Sequence, residues 1–265
     1  MNEIIVIIPA FNNESLVEFT LSNSSFCPLT DVVILDSSNS SKIKKIAKHY
    51  ECKYLVIENK GRVENWNAGI DYSLKENYKY FKFLFAGDVL NKGIIRRYIE
   101  EFQSDDEISF ITGSYGIVDK SNQTRQISHV SETTILASEV EKQIFNRDKG
   151  NWFGPPSAQA YRSSKVGSLR FNSFQPWTAD WLFALSLSNS NKVLLLKDDV
   201  CRFYESNRLT YNSKANTLAS KIEEINVIRT YCENDECLIL ALSKKLPLKI
   251  ILKLLFKKVH TKIVS

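Results

Sequence analysis

Four short apolar runs, each followed by a stretch of helical character, fill the first hundred residues. They are EIIVII at 3–8, DVVILD at 31–36, KYLVIEN at 53–59 and YFKFLFAGD at 80–88. Runs this short and this continuously apolar are typical of strands covered on both faces. Between and after them, 14–23, 41–50, 61–74 and 91–102 read as helices, the second capped by Ser40 or Ser41. Strands alternating with helices predict βαβ units, hence an α/β fold with a mainly parallel central sheet flanked by helices.

The alternation stops after residue 102. The segment 108–118 (ISFITGSYGIV) suggests two short strands, 134–147 a helix, NWFGPPSAQAYR a loop running into a strand, and Thr178–Ser188 a helix. KVLLL is a further strand, followed by a polar connection CRFYESNRLTYNS and a helical end from about 214. With 265 residues, 43% of them hydrophobic, the chain is long enough for one large domain, read here as 1–212, with a helical extension at 213–265.

Charge is unevenly placed. The net charge is +5, yet 244–265 holds seven lysines and no acid, which leaves the other 243 residues at −2. Any anionic partner is therefore expected at the tail, and nothing suggests nucleic acid as a partner. Within the tail, Lys249, Lys253 and Lys257 recur every four residues among Ile, Leu and Phe. That pattern suits a helix lying on an anionic membrane surface, or one docked on the domain with its lysines in water. The five cysteines form no CxxC pair and the three histidines are far apart, which disfavours a zinc site and fits a reduced, cytoplasmic compartment. No signal peptide and no spanning helix are expected.

In a parallel α/β sheet, ligands bind at the carboxyl ends of the strands. The polar residues just past the four runs are Asn12, Glu14, Asp36, Asn59 and Asp88, so all five are expected on one rim. Asp88 can ligate a divalent cation, or cap a turn. Asp36 can accept from a base or ribose, or build an Asx-turn. Gly61 and Arg62, at a helix start, can approach an anion. Asp180, between Trp177 and Trp181, is a candidate general base or a favourable first-turn acid. The two tryptophans form an acceptor wall or pack the core. Arg202 and Arg208 can neutralise a leaving diphosphate or stay solvated.

Five segments, in order, resemble the inverting family-2 glycosyltransferases of the glycosyltransferase A (Rossmann-like) fold. They are IIVIIPAFNNES, DVVILDSSNSS, ENKGRVENWNAGI, FLFAGDVL and FNSFQPWTADWLFAL. The resemblance implies that Pro9, Phe11, Asn12 and Glu14 line a nucleotide pocket and that Asp36 meets the base or ribose. It implies that Arg62 and Asn67 hold nucleotide and phosphate, that Asp88 ligates Mg2+ or Mn2+, and that Asp180 deprotonates the acceptor. The donor would be a nucleotide-sugar, a UDP-sugar above all. The acceptor would be a glycan or polyprenyl-linked hydroxyl in bacterial surface polysaccharide (capsule or O-antigen) assembly.

The sequence departs from the family in two places. An Asp-x-Asp-Asp cluster is replaced by Phe85, Ala86, Gly87 and Asp88, and an Arg-x-His by Arg202, Phe203 and Tyr204. Metal binding is then expected to be weak, or partly replaced by Arg202 or Arg208. The alternatives are a sugar-nucleotidyltransferase-like enzyme, against which stands a PAFNNES loop with no glycine or basic residue, and a non-catalytic sugar- or lipid-binding module with a lapsed metal site.

Overall fold

A computed structural model of the chain describes residues 2–58, 61–128, 132–135, 153–189, 191–208 and 218–231. Most of the helix expected at 134–147, the tail 244–265 and Asn59 lie outside them. The centre is β1 (Ile4–Ala10), flanked by β2 (Thr30–Asp36) and β4 (Tyr80–Phe83), with β3 (Lys53–Val56) outside β2; all four are parallel. Next to β4 come β9 (Gln159–Arg162), then β6 (Ile108–Val118) and β10 (Lys192–Tyr204), with β5 (Asp88–Leu90) at the end of the row. β9 and β5 are antiparallel to their neighbours, so the other six strands of the row share one direction. Two short strands, β7 (Thr124–Ile127) and β8 (Thr133–Ile135), pair with β6 and β10.

Alternate residues of β1 serve opposite faces, as a pleated strand requires. Ile5 and Ile7 join a core with Val33, Leu35, Phe83 and residues of α3 (Arg62–Lys75), whereas Ile4, Val6 and Ile8 join one with residues of α1 (Glu14–Asn23), α2 (Ser41–His49) and α4 (Ile94–Ser104). The first core also takes α6 (Ala179–Ser188) through Trp181, Phe183 and Ala184, and α7 (Leu218–Tyr231) through Val227 and Ile228; a single turn, α5 (Ser163–Val166), follows β9.

The structure differs from the sequence reading in three places. The run 80–88 is not one strand. It breaks after Phe83 into a turn in which Asp88 N–H donates to the Phe85 carbonyl at 2.9 Å and Gly87 takes φ 98°, a conformation that glycine adopts without cost. The stretch 108–118 is one strand of 11 residues, not two. Its central Gly113 reads as a turn signal but is a close-approach site: a Cβ there would lie 2.2 Å from Val200 Cγ1. Opposite it β10 is irregular, with register shifts around Asp199, and this lets the polar stretch after KVLLL continue as strand to Tyr204.

Candidate active site

A cleft of about 400 Å³ opens where β1, β2 and β4 end and α3 begins. Pro9 and Ala10 line it from the end of β1, Phe11 and Asn13 from the turn after it, Ser37 from just past β2, Gly61 from the cap of α3, Arg62, Asn65 and Trp66 from its first turns, and Phe85 and Ala86 from the turn after β4. This is the carboxyl edge of parallel strands, where topology places a ligand crevice. Pro9, Phe11 and Arg62 stand there, as the sequence suggested. Asn12 and Glu14 do not line it. Asn12 is exposed with φ 49°, and its neighbour Asn13 faces the cleft while its side chain accepts from Phe11 N–H at 3.0 Å. Glu14 instead receives the Ser40 hydroxyl at 2.6 Å, which ties the start of α1 to the cap of α2 and lowers the Glu14 pKa.

Asp36, expected to meet a base or ribose, is 0% exposed and committed to its own loop. One carboxylate oxygen accepts from Ser38 N–H at 2.8 Å; the other accepts from Ser40 N–H at 2.7 Å and Tyr54 hydroxyl at 2.8 Å. Burial, then the bond to Asp36, pushes the Tyr54 phenol up to about 12, so it remains a donor. Asp36 builds an Asx-turn through its bonds to Ser38 and Ser40 N–H. Asn67 likewise turns away from the cleft: its amide donates to the Phe171 carbonyl at 3.0 Å and accepts from Phe171 N–H at 2.8 Å. Asn65, two residues nearer the start of α3, is the amide that lines the cleft.

Asp88, expected to hold a metal, is 2% exposed and not part of the cleft lining. Ser157 Oγ donates to its carboxylate at 2.7 Å and accepts from Phe85 N–H at 3.0 Å. Behind it lies Lys82, wholly buried mid-strand, donating to the Ser157 carbonyl at 2.6 Å and the Phe83 carbonyl at 3.1 Å. Burial lowers the Lys82 pKa to about 8, opposed by the charges of Cys201 and Asp88. Thr20 completes the frame, its hydroxyl accepting from Gly87 N–H at 2.8 Å and donating to the Asp88 carbonyl at 2.9 Å. Mg2+ and Mn2+ want accessible hard oxygens. Phe85, Ala86 and Gly87 offer none from their side chains, and the Asp88 carboxylate points into the core. Among the described residues, no three His, Cys, Asp or Glu side chains converge. The residues present do not fit a metal held on Asp88.

Asp180 is the second residue of α6, partly exposed, and with burial its charge raises the pKa of buried Tyr161. The approach to α6 is fixed at three points. Asn67 clamps Phe171. Arg62 donates to the Pro176 carbonyl, and its guanidinium lies 4.8 Å from the Trp177 ring and 5.6 Å from the Trp66 ring. Glu223, on α7, accepts from Trp177 N–H at 2.8 Å and Thr178 N–H at 3.1 Å. The start of α6 therefore sits beside the cleft through the Arg62–Trp177 contact. Of the two tryptophans, Trp177 is at the cleft side, whereas Trp181 is buried in the core.

Arg202 pairs with Val89, while Asp88 pairs with Phe203. Strand alternation puts Arg202 on the face away from Asp88, where it lies 3.9 Å from Asp199. Arg208 ends a 3-10 turn, Glu205–Arg208, and its side chain lies outside the described residues. Sequence reasoning missed Ser157, Lys82, Thr20 and Glu223. Lys82 alone carried a signal, a single lysine inside YFKFLF.

The fold is that of glycosyltransferase A enzymes. S. aureus TarS 1-349 superimposes with a TM-score of 0.64 at 14% identity, over 91% of this chain and 71% of that one. A mannosyltransferase, PcManGT from Pyrobaculum calidifontis, in complex with GDP-Man and Mn2+, gives 0.55 at 12% over 98% and 80%. Glucosyl-3-phosphoglycerate synthase from Mycobacterium tuberculosis, in complex with Mn2+, UDP and phosphoglyceric acid, gives 0.56 at 11% over 88% and 79%. Residues 5–169 match glycosyl transferase family 2, and the chain belongs to that family. No match to a curated protein sequence accompanies it.

Proposed function

We propose that the chain moves a sugar from a nucleoside-diphosphate donor, a UDP-sugar, to a hydroxyl of a glycan or polyprenyl-linked acceptor with inversion at the anomeric carbon. The observation that carries this reading is the placement of the α6 start, with Asp180 in its first turn, beside a cleft at the carboxyl edge of β1, β2 and β4. Nucleotides of this class are found on fold neighbours, UDP on TarS and the donor GDP-Man on the mannosyltransferase. In the proposed step the acceptor oxygen bonds to the anomeric carbon as its proton passes to Asp180. The bond to the diphosphate oxygen breaks, and its electron pair leaves with the nucleoside diphosphate. One in-line displacement inverts the centre.

The expected Mg2+ or Mn2+ takes no part in this step, because the residues at the rim do not fit it. A role in bacterial surface polysaccharide assembly, at the cytoplasmic face of a membrane touched by 244–265, belongs to the same proposal; among the described residues no helix is long and apolar enough to cross a membrane.

The test is Asp180→Asn with a panel of nucleotide-sugars. Turnover should fall by about a hundredfold or more while nucleotide binding stays within about twofold. Unchanged turnover removes Asp180 as the base. The aromatic replacement at Phe85 favours a second reading, a binding module without transfer. Nucleotide binding by the wild-type chain with no transfer from any donor would support that reading.

A further inference from the structure

Departure of a nucleoside diphosphate adds a negative charge, and an enzyme must meet it with a cation or with oriented donors. The turn after β4 is closed to that task. Phe85 stacks on Trp66, with ring centroids 5.0 Å apart and planes at 21°, and Trp66 meets Phe171 edge-on at 5.3 Å. Ala86 adds a methyl group. Gly87 spends its N–H on Thr20, and Asp88 is turned inward onto Ser157. A cation seated at this turn would face an aromatic floor.

Across the cleft the chemistry is the opposite. Among the described lining residues the one cation is Arg62, and it is the first residue of a 14-residue helix whose amino end opens on the same cleft. A helix amino end carries partial positive charge and unsatisfied N–H groups. The guanidinium is held near two indole rings, 4.8 Å from the Trp177 centroid and 5.6 Å from that of Trp66. One of its partners, the Pro176 carbonyl, is a neutral acceptor, and a charged diphosphate oxygen is a stronger one that can compete for that N–H.

We propose that this chain binds its nucleoside diphosphate without a divalent ion, the Arg62 guanidinium and the amino end of α3 supplying the charge that a metal would otherwise bring. The inference rests on the transfer reading above and specifies its cofactor requirement. It also gives the Arg62–Pro176 bond a second meaning: occupation of the cleft draws on the same side chain that holds the loop ahead of Asp180.

Binding of UDP and of GDP to the intact chain, followed by tryptophan fluorescence and calorimetry in excess chelator and in excess Mn2+, tests this. The better-bound nucleotide should show dissociation constants within about twofold under the two conditions. Arg62→Ala should weaken it by about tenfold or more in both, and Arg62→Lys by less, since lysine keeps the charge but not the fork. Tightening of wild-type binding by more than about tenfold in Mn2+ overturns the proposal while leaving the transfer reading in place, and so does an Arg62→Ala variant that binds as the wild type. Should Arg62→Ala fail to fold, the chelator comparison on the wild type and the Arg62→Lys variant decide. No binding of either nucleotide under either condition overturns the transfer reading, and this inference with it.

Discussion

Lys82 shows how little a residue's type reveals without its neighbours. Its ammonium is enclosed between Asp88, Cys201, the Tyr98 ring 5.8 Å away and the carbonyls of Phe83 and Ser157. Burial lowers its pKa from 10.5 to about 8. A base whose folded pKa is lowered binds its proton more tightly when unfolded, so stability rises with pH between those two values and is flat below the lower one. Wild type should therefore gain on Lys82→Met as pH climbs from about 8, by up to about 1.4 kcal/mol per pH unit, read from denaturant midpoints. A difference between the two that does not change with pH would contradict this. The same limit explains the site residues. Asp36 and Asp88 were legible as the acids that close two apolar runs. Which way each carboxylate points was not, because Ser38, Ser40, Tyr54 and Ser157 decide it, and Ser157 lies 69 residues from Asp88.

At the level of elements, the four βα repeats were legible because both faces of β1, β2 and β4 are buried and the period is unambiguous. The second half was misread where a residue's local preference and its packing disagree. Gly113 and the polar run after Leu196 both signal loop, yet each belongs to a long strand, because the absent side chain of one makes room for the irregular backbone of the other. By strand propensity alone, Gly113→Val should strengthen β6. The structure predicts the reverse: crowding against Val200 should destabilise the fold by about 1–3 kcal/mol in urea denaturation. A gain in stability would mean that β10 can retreat without cost.

Over the whole molecule, the cleft draws on β1, β2, β4 and α3, but the loop beside it is capped from α7, more than 40 residues downstream, through Glu223. The family match ends at residue 169, before either Asp180 or Glu223, so under the proposed function the acceptor side would be built by a part of the chain beyond that match. The basic tail is tested at this scale as well. Deleting 244–265 removes seven lysines, each worth about 1 kcal/mol near an anionic surface. Sedimentation with phosphatidylserine-containing vesicles should be lost in the truncated chain and kept in the full one. Equal sedimentation would place the contact elsewhere.

The stacked pair at the cleft floor also bears on how this rim can change by mutation. An acid introduced at 85 alone would set a carboxylate against the Trp66 indole; one at 87 would need the positive φ that glycine tolerates and other side chains resist. Each single step loses packing or strains the turn before it gains a ligand. On the metal-free reading proposed above, neither single substitution gives a metal site at this turn without such a cost, and the aromatic floor resists that change.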